Sequence, residues 1–177
     1  MMIYNEIKGN LITLAQTGHF DVIAHGCNCH CVMGAGIAPQ MARAFGANKF
    51  PMEGQTFAGD INKLGTIDYK ELEVSTMSCI PKGYTGICTQ ELKYPLIVVN
   101  AYTQFGFGSN HSNGSSKPVD YEAITLCMRK MNHEFKGKHI GLPRIGCGLA
   151  GGSWRKVKNI IKRELYNCGV TIVIYKP

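Results

Sequence analysis

Residues 25–38 read HGCNCHCVMGAGIA, three cysteines, two histidines and an asparagine ahead of a glycine-spaced run of small residues. Three chemistries compete for this stretch: a metal centre, a nucleophilic thiol, or a loop whose backbone holds an anion. A tetrahedral zinc site takes ligand pairs two to four residues apart, with a second pair further along the chain. Cys27, Cys29, His30 and Cys31 lack that spacing, and no Cys-x-x-Cys occurs elsewhere in the chain. If the strand continues through them, alternation puts Cys27, Cys29 and Cys31 on the face of His25, with Asn28 and His30 on the other. A catalytic thiol needs a base held against it and an electropositive setting, and proximity in sequence supplies neither. The cysteines are expected to be small packed thiols, and no metal is expected.

The glycines are more informative. Gly34 and Gly36 stand where a strand hands over to a helix, so backbone N–H groups and the positive end of the helix dipole can face an anion. A second such turn, RIGCGLAGGSW, places Gly146, Gly148, Gly151 and Gly152 ahead of a helix that begins at Ser153. The first turn is not a dinucleotide fingerprint, since no G-x-G-x-x-G with a later acidic residue follows, and it lacks the P-loop lysine. Two such loops outside the carboxyl ends of strands in one sheet can clasp a pyrophosphate from two sides.

The elements that must position these loops follow from periodicity. Residues 21–24, 95–100, 139–143 and 170–175 are short apolar runs bounded by turn formers and read as buried strands, with IYNEIKGN as an edge strand. Residues 37–45 carry helix formers. Residues 121–135 place Ile124, Cys127, Met128, Met131 and Phe135 on one helical face, and Trp154, Val157, Ile160, Ile161 and Leu165 repeat that spacing. Ser153 is expected to cap this last helix and Gly169 to follow its end. Strands alternating with helices imply an α/β sheet covered on both faces. Asp21 falls at the end of the sheet opposite the glycine loops, a turn or capping position. Residues 70–93 show poor periodicity, and residues 105–118 form a Gly/Ser/Asn loop too long for a simple connector.

The 177 residues fit one domain, residues 1–177. No apolar run approaches the about 18 to 20 residues of a membrane span, and no leader pattern opens the chain, so a cytoplasmic protein with reduced thiols is expected. A net charge of +7 favours anionic partners. Arg155, Lys156, Lys158, Lys162 and Arg163 read as the solvated face of the last helix, and no aromatics interleave with them as a nucleic-acid platform requires.

The succession KGN (residues 8–10), VIAHGCN ending at Asn28, GAGIA (residues 34–38) and PRIGCGL (residues 143–149) before a helix with Trp154 resembles the macro domain family, from Tyr4 to Tyr175. Within that family it is most similar to the branch of ADP-ribose-1″-phosphate phosphatases and terminal ADP-ribose glycohydrolases, including bacteriophage-type members. The resemblance implies a three-layer α-β-α domain with a central mixed β-sheet that binds ADP-ribose without a cofactor, in the host cytoplasm if the protein is viral. It implies that Asn10, with Leu11, meets adenine through a neutral amide oxygen and that Tyr175 stacks on the base. It further implies that Asn28, Gly34, Gly36 and Ile37 line the distal ribose and phosphates, and that Ile145, Gly146, Cys147, Gly148 and Leu149 surround the diphosphate.

For chemistry, the resemblance puts Ala150 where the glycohydrolases carry an acid/base aspartate, and LIVVNAYTQ offers no matching lysine. It points instead to removal of the phosphate from ADP-ribose-1″-phosphate. His25 would be the acid or base near neutral pH, with His30 as the second candidate and Asn28 orienting water or ribose; the competing reading of His25 is a core histidine satisfied by a backbone carbonyl. The alternatives are a non-catalytic ADP-ribose reader and a hydrolase acting on ADP-ribosylated macromolecules. A monomer is expected.

Overall fold

A computed structural model describes residues 3–52, 56–82, 86–109 and 116–175. In chain order the elements are β1 (Tyr4–Gly9), α1 (Leu11–Gln16), β2 (Val22–Asn28), α2 (Ala38–Phe45), two 3₁₀ turns (Ala47–Met52 and Ile61–Lys63), β3 (Ile67–Lys82), β4 (Gly86–Gln104), α3 (Tyr121–Glu134), β5 (His139–Leu142), α4 (Trp154–Glu164) and β6 (Gly169–Tyr175). The six strands form one sheet in the order β1-β6-β5-β2-β4-β3. Every neighbouring pair is parallel except β3 with β4, so the sheet is mixed.

The β-branched runs of β2, β5 and β6 lie in the middle of this sheet, and both of their faces are covered, which is why they read as continuous apolar stretches. Val22, Ala24, Leu142 and Ile172 face α3 and α4 on one side. Ile23, Val98 and Val173 face α1 and α2 on the other. The result is three layers, α-β-α. Val157, Ile160 and Ile161 of α4 and its C-cap Leu165 are buried, each contributing about 1.5–3 kcal/mol relative to exposure. The basic residues Arg155, Lys156, Lys162 and Arg163 are exposed on the opposite face.

Three details differ from the sequence reading. Ser153 has the extended backbone of an N-cap, but its side chain makes no capping bond, and its N–H donates to the Tyr121 hydroxyl at 2.8 Å instead. The helix ends at Glu164 with Leu165 as its C-cap, and Gly169 opens β6 rather than ending α4. The stretch 70–93, which resisted assignment, belongs to the long antiparallel hairpin of β3 and β4, with residues 83–85 outside the described residues. β2 pairs with β4 only from Ile97 onward, so the earlier part of β4 has a neighbour on one side alone. Pro95 is tolerated there because that side has no ladder to lose. Leu72, Val74, Leu92 and Tyr94 alternate with exposed residues, the pattern of a half-covered ribbon rather than a buried strand. At the far end of the sheet Asp21 Oδ2 accepts the His139 N–H at 2.7 Å, joining β2 to β5.

Candidate ligand-binding cleft

Parallel pairing sends the carboxyl ends of β1, β6, β5, β2 and β4 to the same edge of the sheet, and the loops that leave them enclose a cleft of two chambers. The first, of about 580 Å³, lies over β2 and β4, with Asn28, Gln104, Phe107, Ile145 and Leu149 on its walls. The second, of about 600 Å³, lies over β1 and β6, with Asn10, Leu11, Gln40, Trp154 and Tyr175. Gly36, Ile37, Pro143, Arg144 and Gly148 line both chambers and form a waist between them.

The waist is built for an anion. Among the described residues, the N–H groups of Gly36, Ile37, Gly146, Gly148 and Leu149 have no hydrogen-bond partner in the chain. The first two lead into α2, whose dipole adds positive potential there. Gly146 has φ +71°, and a Cβ there would come within 2.9 Å of Ile124 Cδ1, so the turn that frees these N–H groups requires glycine. Gly152 donates its N–H to the Gly146 carbonyl at 2.8 Å, and a Cβ on Gly152 would collide with that same oxygen. Among the described residues, Arg144 is the only Asp, Glu, Lys, Arg or His lining either chamber. Its guanidinium carbon lies 5.4 Å from the centre of the Trp154 ring, a cation–π contact that holds an exposed cation at the waist.

The residues singled out from sequence fall into place around this cleft unequally. Asn10, Leu11, Cys147 and Tyr175 line the second chamber. Gly34, Ile145, Gly146, Leu149 and Ala150 line the first, while Gly36, Ile37 and Gly148 belong to both. Asn28 also reaches the first chamber, and its amide closes a small ring with the loop beyond it. Nδ2 donates to the Val32 carbonyl at 2.8 Å, and Oδ1 accepts the Val32 N–H at 3.2 Å. Asn10 does not leave its oxygen free: Oδ1 accepts the N–H groups of Ile12 and Thr13 as the N-cap of α1. Burial raises the Cys147 thiol above its usual range, so it is neutral in the second chamber.

His25 and His30 are not on the walls of the cleft. His25 is fully buried, and its Nε2 lies 2.7 Å from Asn100 Oδ1 on the neighbouring strand. Residues three apart on a strand face opposite ways, so β2 turns Gly26 and Asn28 toward the cleft and His25 and Cys27 away from it. Burial pulls the imidazole down to about 4, against the opposing effect of the Asn100 bond, so it is neutral at physiological pH. The geometry therefore replaces the expected proton-transfer role of His25 with a structural one. His30 packs edge-on against Phe105 and Phe107, at centroid distances of 5.0 and 6.1 Å, behind the rim of the first chamber.

The cysteines fall outside the cleft as well. Cys27 and Cys29 are buried against Tyr102, and burial drives the Cys27 thiol far up and the Cys29 thiol to about 12. Cys31 takes a left-handed backbone, φ 59°, where the chain leaves β2 for the ligand loop.

Four cleft residues escaped the sequence reading as ligand groups. Arg144 sits inside the quoted PRIGCGL run, and a lone cation in a glycine turn was the available signal. Trp154 was read as core, but it is only partly buried because it opens the helix at the waist. Gln104 is the last residue of β4, paired with Asn28 across a register shift, and Phe107 lies in the long 105–118 loop, of which residues 110–115 are outside the described residues. No local pattern marks either one.

The fold is shared with solved macrodomains. The macrodomain of Thermus aquaticus DarG superposes on this chain with a TM-score of 0.59 at 20% identity over 100% of both chains. Thermosipho africanus DarTG, solved in complex with ADP-ribose, superposes with a TM-score of 0.57 at 16% identity, over 100% of this chain and 42% of that one. This chain has the macrodomain fold. In sequence it is 31% identical over 180 residues to the uncharacterized 17.5 kDa protein in the tk-vs intergenic region of Enterobacteria phage T4, with 99% of each chain covered. No family model matches the chain.

Proposed function

We propose that this protein binds ADP-ribose, with the diphosphate at the waist, the adenosine in the second chamber and the distal ribose in the first. The observation that carries this reading is the waist itself: unpaired N–H groups from two glycine loops and one arginine, set between two chambers of similar size. A ligand with a nucleoside at one end, a sugar at the other and two phosphates between them matches that layout. Trp154 and Tyr175 suit the second chamber to a base, and the ADP-ribose held by the Thermosipho neighbour supports the same ligand. The reading takes residues 1–177 as a single domain, acting as a monomer in the cytoplasm. Among the described residues no helix is long and apolar enough to cross a membrane.

The catalytic extension of this reading is removal of the phosphate from ADP-ribose-1″-phosphate. It is favoured by Asn28 in the first chamber together with Arg144, which faces that chamber and can stabilise charge on a phosphate. No Asp, Glu, His or Lys lines the chamber among the described residues. In this reading water attacks phosphorus and its proton passes to a phosphate oxygen of the substrate; as the bond from phosphorus to the ribosyl oxygen breaks, that proton passes on to the ribosyl oxygen, giving ADP-ribose and inorganic phosphate.

Titration calorimetry with ADP-ribose, AMP and ribose 5-phosphate tests the binding. ADP-ribose is expected to bind at least about tenfold more tightly than either fragment, since only it fills both chambers and the waist. Equal affinity for AMP would remove the two-chamber reading. Phosphate release from ADP-ribose-1″-phosphate tests the catalytic extension, and its absence would leave a reader. ADP-ribosylated protein in a third reaction separates the remaining alternative, cleavage from macromolecules.

A further inference from the structure

α4 carries five cations, Arg155, Lys156, Lys158, Lys162 and Arg163, and one carboxylate, Glu164, whose side chain is only 8% exposed. Arg129 of α3 and Arg163 both bond that carboxylate, at 2.7 and 2.6 Å. Lys158 pairs with Glu6 of β1. Arg155, Lys156 and Lys162 are in no ion pair among the described residues. In sequence no aromatic residue interleaves with these cations, but the fold brings Tyr4 of β1 and Tyr121 of α3 beside them. Lys158 and Lys162 lie over the Tyr4 ring, 5.4 and 4.6 Å from its centre, and Lys156 lies 5.1 Å from the centre of Tyr121. These contacts hold long cationic side chains in place before any anion arrives, so less conformational freedom is lost on binding.

Arg155, Lys158 and Lys162 follow one another at intervals of three and four residues. They therefore form a row along one side of α4 that advances about 4.5 to 6 Å at each step, comparable to the separation of neighbouring phosphates in an extended strand. Arg144, near enough to Tyr4 and Glu6 to act on both electrostatically, continues the row past the start of the helix. A membrane surface would need an apolar helix face to insert, and that face of α4 is buried against the sheet. An acidic peptide would need a groove or a free strand edge for its main chain, and one convex helix offers neither. We infer that the outer face of α4, continued by Arg144, is a docking surface for single-stranded nucleic acid, held through its phosphates and without regard to base sequence. Apart from Arg144 this face lies outside the walls of the cleft, so the inference does not depend on the ligand proposed there.

The test is fluorescence anisotropy of a labelled oligothymidine at several salt concentrations. It compares the wild type with Arg155→Gln/Lys158→Gln/Lys162→Gln and with a control that loses the same charge from exposed cations elsewhere, Arg43→Gln/Lys49→Gln/Lys136→Gln. The wild type is expected to bind at low salt. The α4 variant should bind at least about tenfold more weakly, and its plot of log affinity against log salt should be flatter by about 2, since each phosphate contact on a single strand contributes about 0.7. The control should lose less than about threefold. Absence of binding by the wild type at low salt, or an equal loss in both variants, overturns the inference. Tighter binding to a duplex of the same length overturns the single strand as the partner, as does binding to phosphatidylserine vesicles in place of the oligonucleotide. Urea midpoints establish that the variants are folded. If the triple variant is not, Lys162→Glu, about two turns from the cleft, takes its place. It is expected to weaken the oligonucleotide by about threefold or more, and an unchanged affinity overturns the inference.

Discussion

His25 and Asn100 are paired across β2 and β4 with Nε2 and Oδ1 2.7 Å apart, and Asn100 Nδ2 donates at 2.8 Å to the carbonyl of Ala47 in the first 3₁₀ turn. The second bond fixes the orientation of the amide, so the histidine carries its proton on Nε2 and donates to Asn100. Two strands and a turn are thereby joined through buried polar groups. Replacing Asn100 with alanine leaves the imidazole N–H and the Ala47 carbonyl unpaired, at a cost of about 2 kcal/mol. Urea denaturation should show that loss. ADP-ribose affinity should change less than about twofold, because neither side chain lines the cleft.

The same pair makes stability pH-dependent. The ordinary histidine value of 6.5 is lowered to about 4 in the folded protein. Below pH 6.5 the unfolded chain takes up a proton that the folded chain refuses, so stability is full above that value and declines as pH falls toward 4. The contribution at stake is on the order of 3 kcal/mol. Urea midpoints from pH 7.5 to 4 should fall more steeply for the wild type than for His25→Gln, and parallel profiles would contradict this account.

Arg144 is the cation shared by both chambers. Arg144→Met keeps an apolar stem against Trp154 and removes the charge, and is expected to weaken ADP-ribose by about tenfold. Its salt dependence should also flatten, since an exposed ion contact is screened. Affinities measured at low and high ionic strength check both effects.

Asn28 acts on the ligand loop through its two bonds to Val32. Asn28→Ala frees that loop from the end of β2, so order must be restored when ligand binds. Affinity is expected to fall by about tenfold, while the thermal midpoint falls by only a few degrees, as for loss of one or two half-buried hydrogen bonds. A midpoint drop as large as that of a core variant, with affinity retained, would reverse the assignment.

Gly152→Ala should be more damaging than its size suggests. The added methyl meets the backbone oxygen of Gly146 rather than a movable side chain. Overpacking of this kind costs about 2–3 kcal/mol and displaces the turn whose N–H groups face the waist. Denaturation and calorimetry together should show stability and affinity falling in the same variant.

Much of the architecture was legible locally. Buried parallel strands have both faces covered, so β2, β5 and β6 announce themselves as short β-branched runs, and α3 and α4 show their buried faces at helical spacing. The β3–β4 hairpin was illegible because half of it has only one neighbour and one covered face, which weakens the apolar signal. The six residues of α1 were too few for periodicity to register.

The cleft divides along the same line. Where glycine must stand is a property of backbone conformation, and sequence alone marked the turns at Gly36, Gly146 and Gly148 as places where N–H groups could converge. Which side of β2 meets the ligand depends on the layers stacked on each face. The fate of His25 depends on Asn100, a residue 75 positions away that reaches it only through strand pairing. The group that Asn10 offers likewise depends on α1 occupying its oxygen. Residue types and turn chemistry are written locally, whereas burial, hydrogen-bond pairing and the direction a side chain faces exist only once the sheet has assembled.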